Sequence, residues 1–175
     1  ATLWEMLAHH GKRSLILGWP ATHGGKDEGS VIVSDRYPEP TAGPGIKPWP
    51  PAVSGTYRPE DMGRTLDPMR VSPEAIGPNV ISRYVPAWQK IDQKRDRRIG
   101  QLRLFLAADY SYQTAAMSLM RETQWDLAAI RFSALAPISR LFMPHHLASS
   151  RPSGNPGGEY EIYQNVIRAT CRVFD

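Results

Sequence analysis

At 175 residues the chain is long enough to bury a substantial core and is expected to form one domain. Its 41% hydrophobic content and net charge of +4 are those of an ordinary globular protein. No apolar run approaches the ~20 residues that a membrane-crossing helix needs. A single cysteine, Cys171, excludes an internal disulfide framework, and sixteen prolines and fourteen glycines, unevenly spread, predict long irregular connections.

Thr2 to His10 reads as a helix. Thr2 with Glu5 three residues later is a capping box, and Leu3, Met6, Leu7 and His10 share one face. Gly11 is a natural stop because it adopts positive φ without strain. Leu15 to Trp19 follows as a buried strand, and Val31 to Ser34 as a short second one. Gly24 to Gly29 between them is a glycine-rich turn without the spacing of a P-loop. Thr22 and His23 belong to the turn after the first strand, where they could touch a ligand or simply redirect the chain.

Residues 38–59 carry seven prolines (Pro38, Pro40, Pro44, Pro48, Pro50, Pro51 and Pro59). Proline lacks a backbone donor, so this stretch cannot be a central strand or a helix. It is expected to be an extended excursion pinned by Trp49 and Tyr57, with a proline-motif contact as the functional alternative. Ser72-Pro73-Glu74 starts a short helix. Lys90, Lys94, Arg95, Arg97, Arg98 and Arg103 form a basic stretch with Asp92 and Asp96 interspersed. It reads either as a solvated helix face or as contacts for an anion, nucleic acid or acidic partner. Ile99 to Arg121 is the longest helix, with Leu102, Phe105, Leu106, Tyr112, Ala116, Leu119 and Met120 on its buried side. The composition of Ser149 to Gly158 predicts a mobile loop. Tyr160 to Phe174 is the last helix, its apolar face carrying Tyr163, Val166, Ile167, Phe174 and a buried Cys171. Alternation of apolar runs with amphipathic helices predicts an α/β fold, with a mainly parallel sheet and flanking helices. Ala1 is expected to be internal to a longer chain, with Ala1 and Asp175 both lying within secondary structure.

Trp125 to Met143 is the most informative stretch. Leu127 to Phe132 reads as a buried strand, a turn follows, and a short apolar segment ends at Leu141-Phe142-Met143. In α/β sheets chemistry sits beyond the carboxyl end of such a strand. This stretch resembles the type I phosphodiesterase/nucleotide pyrophosphatase branch of the alkaline phosphatase superfamily. There a Trp-Asp opens the strand, which runs into a loop carrying an Asp-x-x-x-His metal pair, then a Phe-Met and a nearby His-Pro-Pro. The Asp falls here at Ala136 and the His at Arg140; a frequent additional Asp falls at Ser133, and a His at Pro137. Leu3-Trp4-Glu5-Met6-Leu7 with Gly11-Lys12, Gly18-Trp19-Pro20-Ala21-Thr22-His23, Val33-Ser34-Asp35, Arg70-Val71-Ser72-Pro73-Glu74 and the closing helix extend the resemblance over most of the chain.

The resemblance implies that 1–175 is one incomplete portion of an alkaline-phosphatase-like domain, with 38–59 as an excursion within it. It also implies phosphate-ester chemistry, often in bacterial proteins, with a nucleophile and further metal ligands outside this stretch. Alanine and proline offer no side-chain donor and arginine stays cationic, so the metal site is expected to be erased. Ser133, Ala136, Pro137 and Arg140 are expected to form a strand-to-loop turn held by Phe132, Leu135, Leu141 and Phe142. The histidines His9, His10, His23, His145 and His146 are the remaining metal candidates. No acidic residue lies between Asp126 and Glu159 to join the last two. Ser133 and Ser139 lack an evident activating base.

The expected role is therefore non-catalytic: binding, or a structural place in a larger assembly, beside the rest of its own domain or another subunit. No cofactor is expected, and zinc or manganese enters only under the alternative of an active hydrolase whose ligands lie outside this chain. The other alternative is a basic module that uses Lys94, Arg95, Arg97 and Arg98, with Arg140 as a further anion or partner contact.

Overall fold

The computed structural model describes residues 1–25, 29–39, 51–145 and 162–173. Among them, in chain order, are α1 (Leu3–His9), β1 (Ser14–Leu17), β2 (Ser30–Val33), β3 (Tyr57–Arg58), α2 (Gly63–Leu66), α3 (Pro78–Tyr84), α4 (Arg98–Glu122), β4 (Leu127–Ile130), α5 (Leu135–Phe142) and α6 (Val166–Val173). The fold is α/β, with a small mixed sheet of four strands in the order β3-β2-β1-β4 and flanking helices. β1 pairs in parallel with β2 and β4, and β3 closes the other edge antiparallel to β2. The chain divides into two compact units, 1–72 with 107–132 and 73–106 with 133–175.

The first unit holds the sheet. β1 is its inner strand, and all four of its residues are buried. Leu15 and Leu17 join Val33, Tyr37, Tyr57, Leu66, Tyr112, Ala115, Ala116 and Leu119 in one core. β4 is only half-buried, against the fully buried strand that its composition suggests. Its place at the sheet edge is the reason, and it ends at Ile130, leaving Phe132 38% exposed beyond it. Likewise β1 stops at Leu17, and Trp19 lies exposed with its indole donating to the Ala129 carbonyl at 3.2 Å.

Thr2 caps α1 as expected. Its hydroxyl accepts from the Glu5 N–H at 3.3 Å, and the Glu5 carboxylate accepts from the Thr2 N–H at 2.6 Å. Ala1 therefore stands outside the helix; Asp175 lies outside the described residues. The described residues cover the apolar face of α1 only in part: Leu7 is half-buried, no residue of the helix is fully buried, and Leu3 and Met6 are 56% and 50% exposed.

Residues 40–50, including Trp49, lie outside the described residues, as do 149–158. The end of the proline-rich stretch is edge strand β3, where a neighbouring proline is tolerated. Tyr57 anchors it, buried and donating to Asp67 Oδ1 at 2.6 Å. Ser72-Pro73-Glu74 leads into a single 3₁₀ turn, Pro73–Ala75.

In the second unit α3, the start of α4, α5 and α6 with the residues just before it carry Ile81, Tyr84, Ile99, Leu102, Ile138, Phe142, Tyr163 and Val166, all buried. α4 buries Leu102, Leu106, Tyr112, Ala116 and Leu119 as its periodicity predicts, while Phe105 is half-buried and Met120 exposed at the margins of that stripe. Cys171 is exposed, contrary to its expected burial, because α6 turns Val166, Ile167 and Thr170 inward instead. Phe174 lies outside the described residues.

Gly18, just past β1, has φ +70°, and a Cβ built there would stand 2.7 Å from the Arg131 carbonyl oxygen and 3.1 Å from the Tyr112 ring. Gly11 has φ +68° with open space around it. Gly11→Ala is expected to cost only the left-handed backbone penalty, about 1 kcal/mol. Gly18→Ala adds overpacking and is expected to cost about 3–4 kcal/mol. Urea denaturation midpoints of the two variants measure the difference.

Candidate functional site

The four positions of the resembled metal loop are not all in a turn. Ser133 sits in the bend before α5, whereas Ala136, Pro137 and Arg140 lie within the helix itself. Pro137 is tolerated because the amide groups of a first helical turn have no partner to lose. The helical period also changes which residues hold the frame. Ala134, Ile138 and Phe142, four apart, are buried, so the expected anchor Phe142 holds, while two other expected anchors, Phe132 and Leu135, are 38% and 39% exposed. Leu141 is half-buried beside them. Ala136 and Arg140 fall on the opposite, exposed side, one turn apart.

An Asp and a His at these two positions could reach one ion, since i and i+4 side chains are neighbours on a helix face. The residues present do not fit a metal. A methyl group, a pyrrolidine ring and a guanidinium supply no lone pair to a zinc or manganese ion. Among the described residues no three His, Cys, Asp or Glu side chains converge as ligands. His9 lies in α1 and His10 caps its end. His146 lies outside the described residues.

At the carboxyl edge of the sheet, the turn after β1 is knitted to the end of β2. The Thr22 hydroxyl donates to the Trp19 carbonyl at 2.7 Å and accepts from the Asp35 N–H at 3.2 Å. Asp35 Oδ2 accepts from the Ala21 N–H at 3.0 Å, and Ser34 Oγ lies 3.4 Å from His23 Nδ1. Ser34 and Thr22 are buried, so neither presents a hydroxyl to solvent. Asp126, the acid of the Trp-Asp pair, lies at the far end. It accepts from the Arg13 N–H at 2.9 Å and from Lys12 Nζ at 3.2 Å, tying the start of β4 to β1. Those bonds hold its carboxyl below the usual range.

The basic stretch is not a helix face. Trp88–Lys90 is a 3₁₀ turn, residues 91–97 are turns and bends, and α4 begins only at Arg98. Lys94, Arg95 and Arg97 are exposed, and Arg95 lies 3.7 Å from Asp92. Arg103 stacks over Trp88 with 5.8 Å to the ring centroid.

Arg98 is committed to a polar node within the second unit. Its Nη2 donates to Asp96 Oδ2 at 2.7 Å, and its backbone N–H to Asp96 Oδ1 at 3.0 Å. The guanidinium lies 4.5 Å from the Tyr163 ring centroid. Tyr163 donates to Asp96 Oδ2 at 2.7 Å, and Arg98 Nη1 lies 2.6 Å from His145 Nε2. The sequence gives one sign of this node, an acidic residue just ahead of a long helix, which is a capping signal. Nothing local marks Tyr163 or His145 as its partners.

Comparison with protein-family models, with curated proteins and with solved structures finds no match.

Burial alone would raise the Asp96 carboxyl. Hydrogen bonds from Arg98 and Tyr163, with the Arg98 charge, outweigh it and hold the group at about 2. A carboxyl depressed on folding stabilises the fold above its unfolded value near ~3.9, and that contribution is lost as pH falls through the folded value. Asp96→Asn is therefore expected to be less stable than the parent at pH 7. The gap should close between pH 4 and pH 2. Urea midpoints across that range measure it; a gap that stays constant would refute the assignment.

Proposed function

We propose that this chain is a non-catalytic segment of an alkaline-phosphatase-like domain of the type I phosphodiesterase kind, serving in binding or as a structural part of a larger assembly. One observation carries the reading. In chain order directly after parallel strand β4, α5 presents positions 136 and 140 one turn apart on its exposed side, and they are Ala and Arg. The packing side of that helix is intact in Ala134, Ile138 and Phe142. A phosphate-ester hydrolase of this kind uses metal ions to polarise the phosphoryl group and activate the nucleophile. On this reading α5 is the remnant of a metal-site frame without its donors, supported by Ala136 and Arg140 at the two ligand positions.

The binding half of the reading rests on exposed apolar side chains. Leu3 and Met6 on α1 are neighbours three residues apart, and Met117 and Met120 on α4 repeat that spacing. Such side chains suit contact with further protein. Among the described residues no helix is long and apolar enough to cross a membrane. Of the basic alternative's four residues, Arg98 is engaged within the fold while Lys94, Arg95 and Arg97 are exposed.

The test is metal content and hydrolysis. The parent chain, dialysed against zinc or manganese, is expected to retain close to none by elemental analysis and to leave bis(p-nitrophenyl) phosphate intact. The double variant Ala136→Asp/Arg140→His is expected to gain weak zinc binding, because two donors on one helical turn fall short of a full ligand set. Stoichiometric metal in the parent with ligands mapped to α5, or hydrolysis by the parent, would overturn the reading in favour of an active hydrolase.

A further inference from the structure

We propose that the open edge of β4 joins the same edge of a second copy of this chain, making one continuous sheet across a two-fold axis. The inference needs only the strand order and stands apart from the phosphodiesterase reading. β4 pairs with β1 on one side and ends the sheet on the other. The Leu127 N–H donates to the Arg13 carbonyl at 3.2 Å, and the Arg131 N–H to the Leu17 carbonyl at 2.9 Å. Backbone direction alternates along a strand, so Ala128 and Ile130 turn their N–H and C=O groups away from β1. Among the described residues nothing bonds to those groups.

Sheet edges are blunted by charges, by proline or by extreme shortness. The β3 edge has all three: it is Tyr57–Arg58 alone, with a cation in it and Pro59 next. Leu127–Ile130 is wholly apolar and has neither charge nor proline. A row of alternating backbone donors and acceptors is matched by another extended backbone, and the row on β4 is complementary to itself. A two-fold axis perpendicular to the sheet sets two β4 strands antiparallel. Placing Ala128 of one copy opposite Ile130 of the other then pairs every outward N–H and C=O of these residues in both copies. The same register puts Ala129 on the axis, facing its counterpart at the non-hydrogen-bonded position where Cα atoms approach to about 4.5 Å. A methyl group suits so close an approach. The Ala128 and Ile130 side chains pack on the core under the sheet. The axis keeps that face the same in both copies, so the apolar layer continues through the junction.

Analytical ultracentrifugation of the 175-residue chain is expected to show an average mass that climbs toward twice that of the monomer as concentration rises. Ala128→Pro removes an outward N–H, a change that an edge strand tolerates. It is expected to weaken association about tenfold, since each copy loses a bond across the junction. Amide exchange followed by NMR is expected to slow at Ala128 and Ile130 only at concentrations where the dimer forms. A chain that stays monomeric at every concentration would overturn the proposal and leave the edge to a strand of another protein. So would a dimer that Ala128→Pro leaves unchanged. If that variant does not fold, exchange at the two amides decides: fast exchange in the dimer, or slow exchange in the dilute monomer, overturns the junction.

Discussion

The sheet unit depends on how three phenols are buried. Tyr37, Tyr57 and Tyr112 meet with ring centroids 5.7 Å apart along each contact. A buried hydroxyl without an acceptor would cost more than the ring gains from much of its packing. Each hydroxyl has one: the Leu66 carbonyl for Tyr37, Asp67 for Tyr57, and the Ser34 carbonyl for Tyr112. Burial pushes all three phenols well above their ordinary range, so they remain neutral donors. These bonds fix distances that apolar contact alone would leave loose. They join α4 to the end of β2, and β3 to the turn after α2. The same Tyr112 ring crowds Gly18, adding to the positive φ and the nearer Arg131 carbonyl that already call for glycine after β1.

A helix separates the side chains that pack from those that face solvent, and α5 does so cleanly. Ala134, Ile138 and Phe142 face the interior, and a fully buried large apolar side chain is worth ~1.5–3 kcal/mol. Those residues fold the segment whatever stands on the other side. Positions 136 and 140 are exposed, where substitution is nearly free in stability. Whatever those two positions carry, the packing of the helix does not depend on it.

Much of this fold is legible in the sequence because its signals are local. The Thr2-Glu5 box, Gly11, the Leu15–Leu17 core and the 3.6-residue stripe of α4 each specify an element from nearby residues. What sequence cannot carry is position within the fold. Nothing in Leu127–Ile130 says that this apolar strand takes an edge, and its half-exposure follows only from the strand order. The apolar face of α1 is a true pattern that the described residues cover only in part. At α5 the error was of period: read as a turn, Leu135 looks like an anchor, and read as a helix, Ile138 replaces it. Partners distant in sequence, such as Asp96 with Tyr163, leave no trace in a single chain.

The placement of charge follows the same logic of local use. A stretch rich in Lys and Arg suggests an electrostatic surface, but Arg98 lies at the centre of a network of carboxylate, phenol and imidazole. A charge so desolvated is retained only when its donors are matched, and Arg98 meets that demand with a planar fork that lysine could not reproduce. Its cost is borne because the node fastens a region where short elements bury few residues each. The Arg98–Asp96 pair adds nothing to the net charge of +4, so the count of basic residues in this stretch overstates the field it presents.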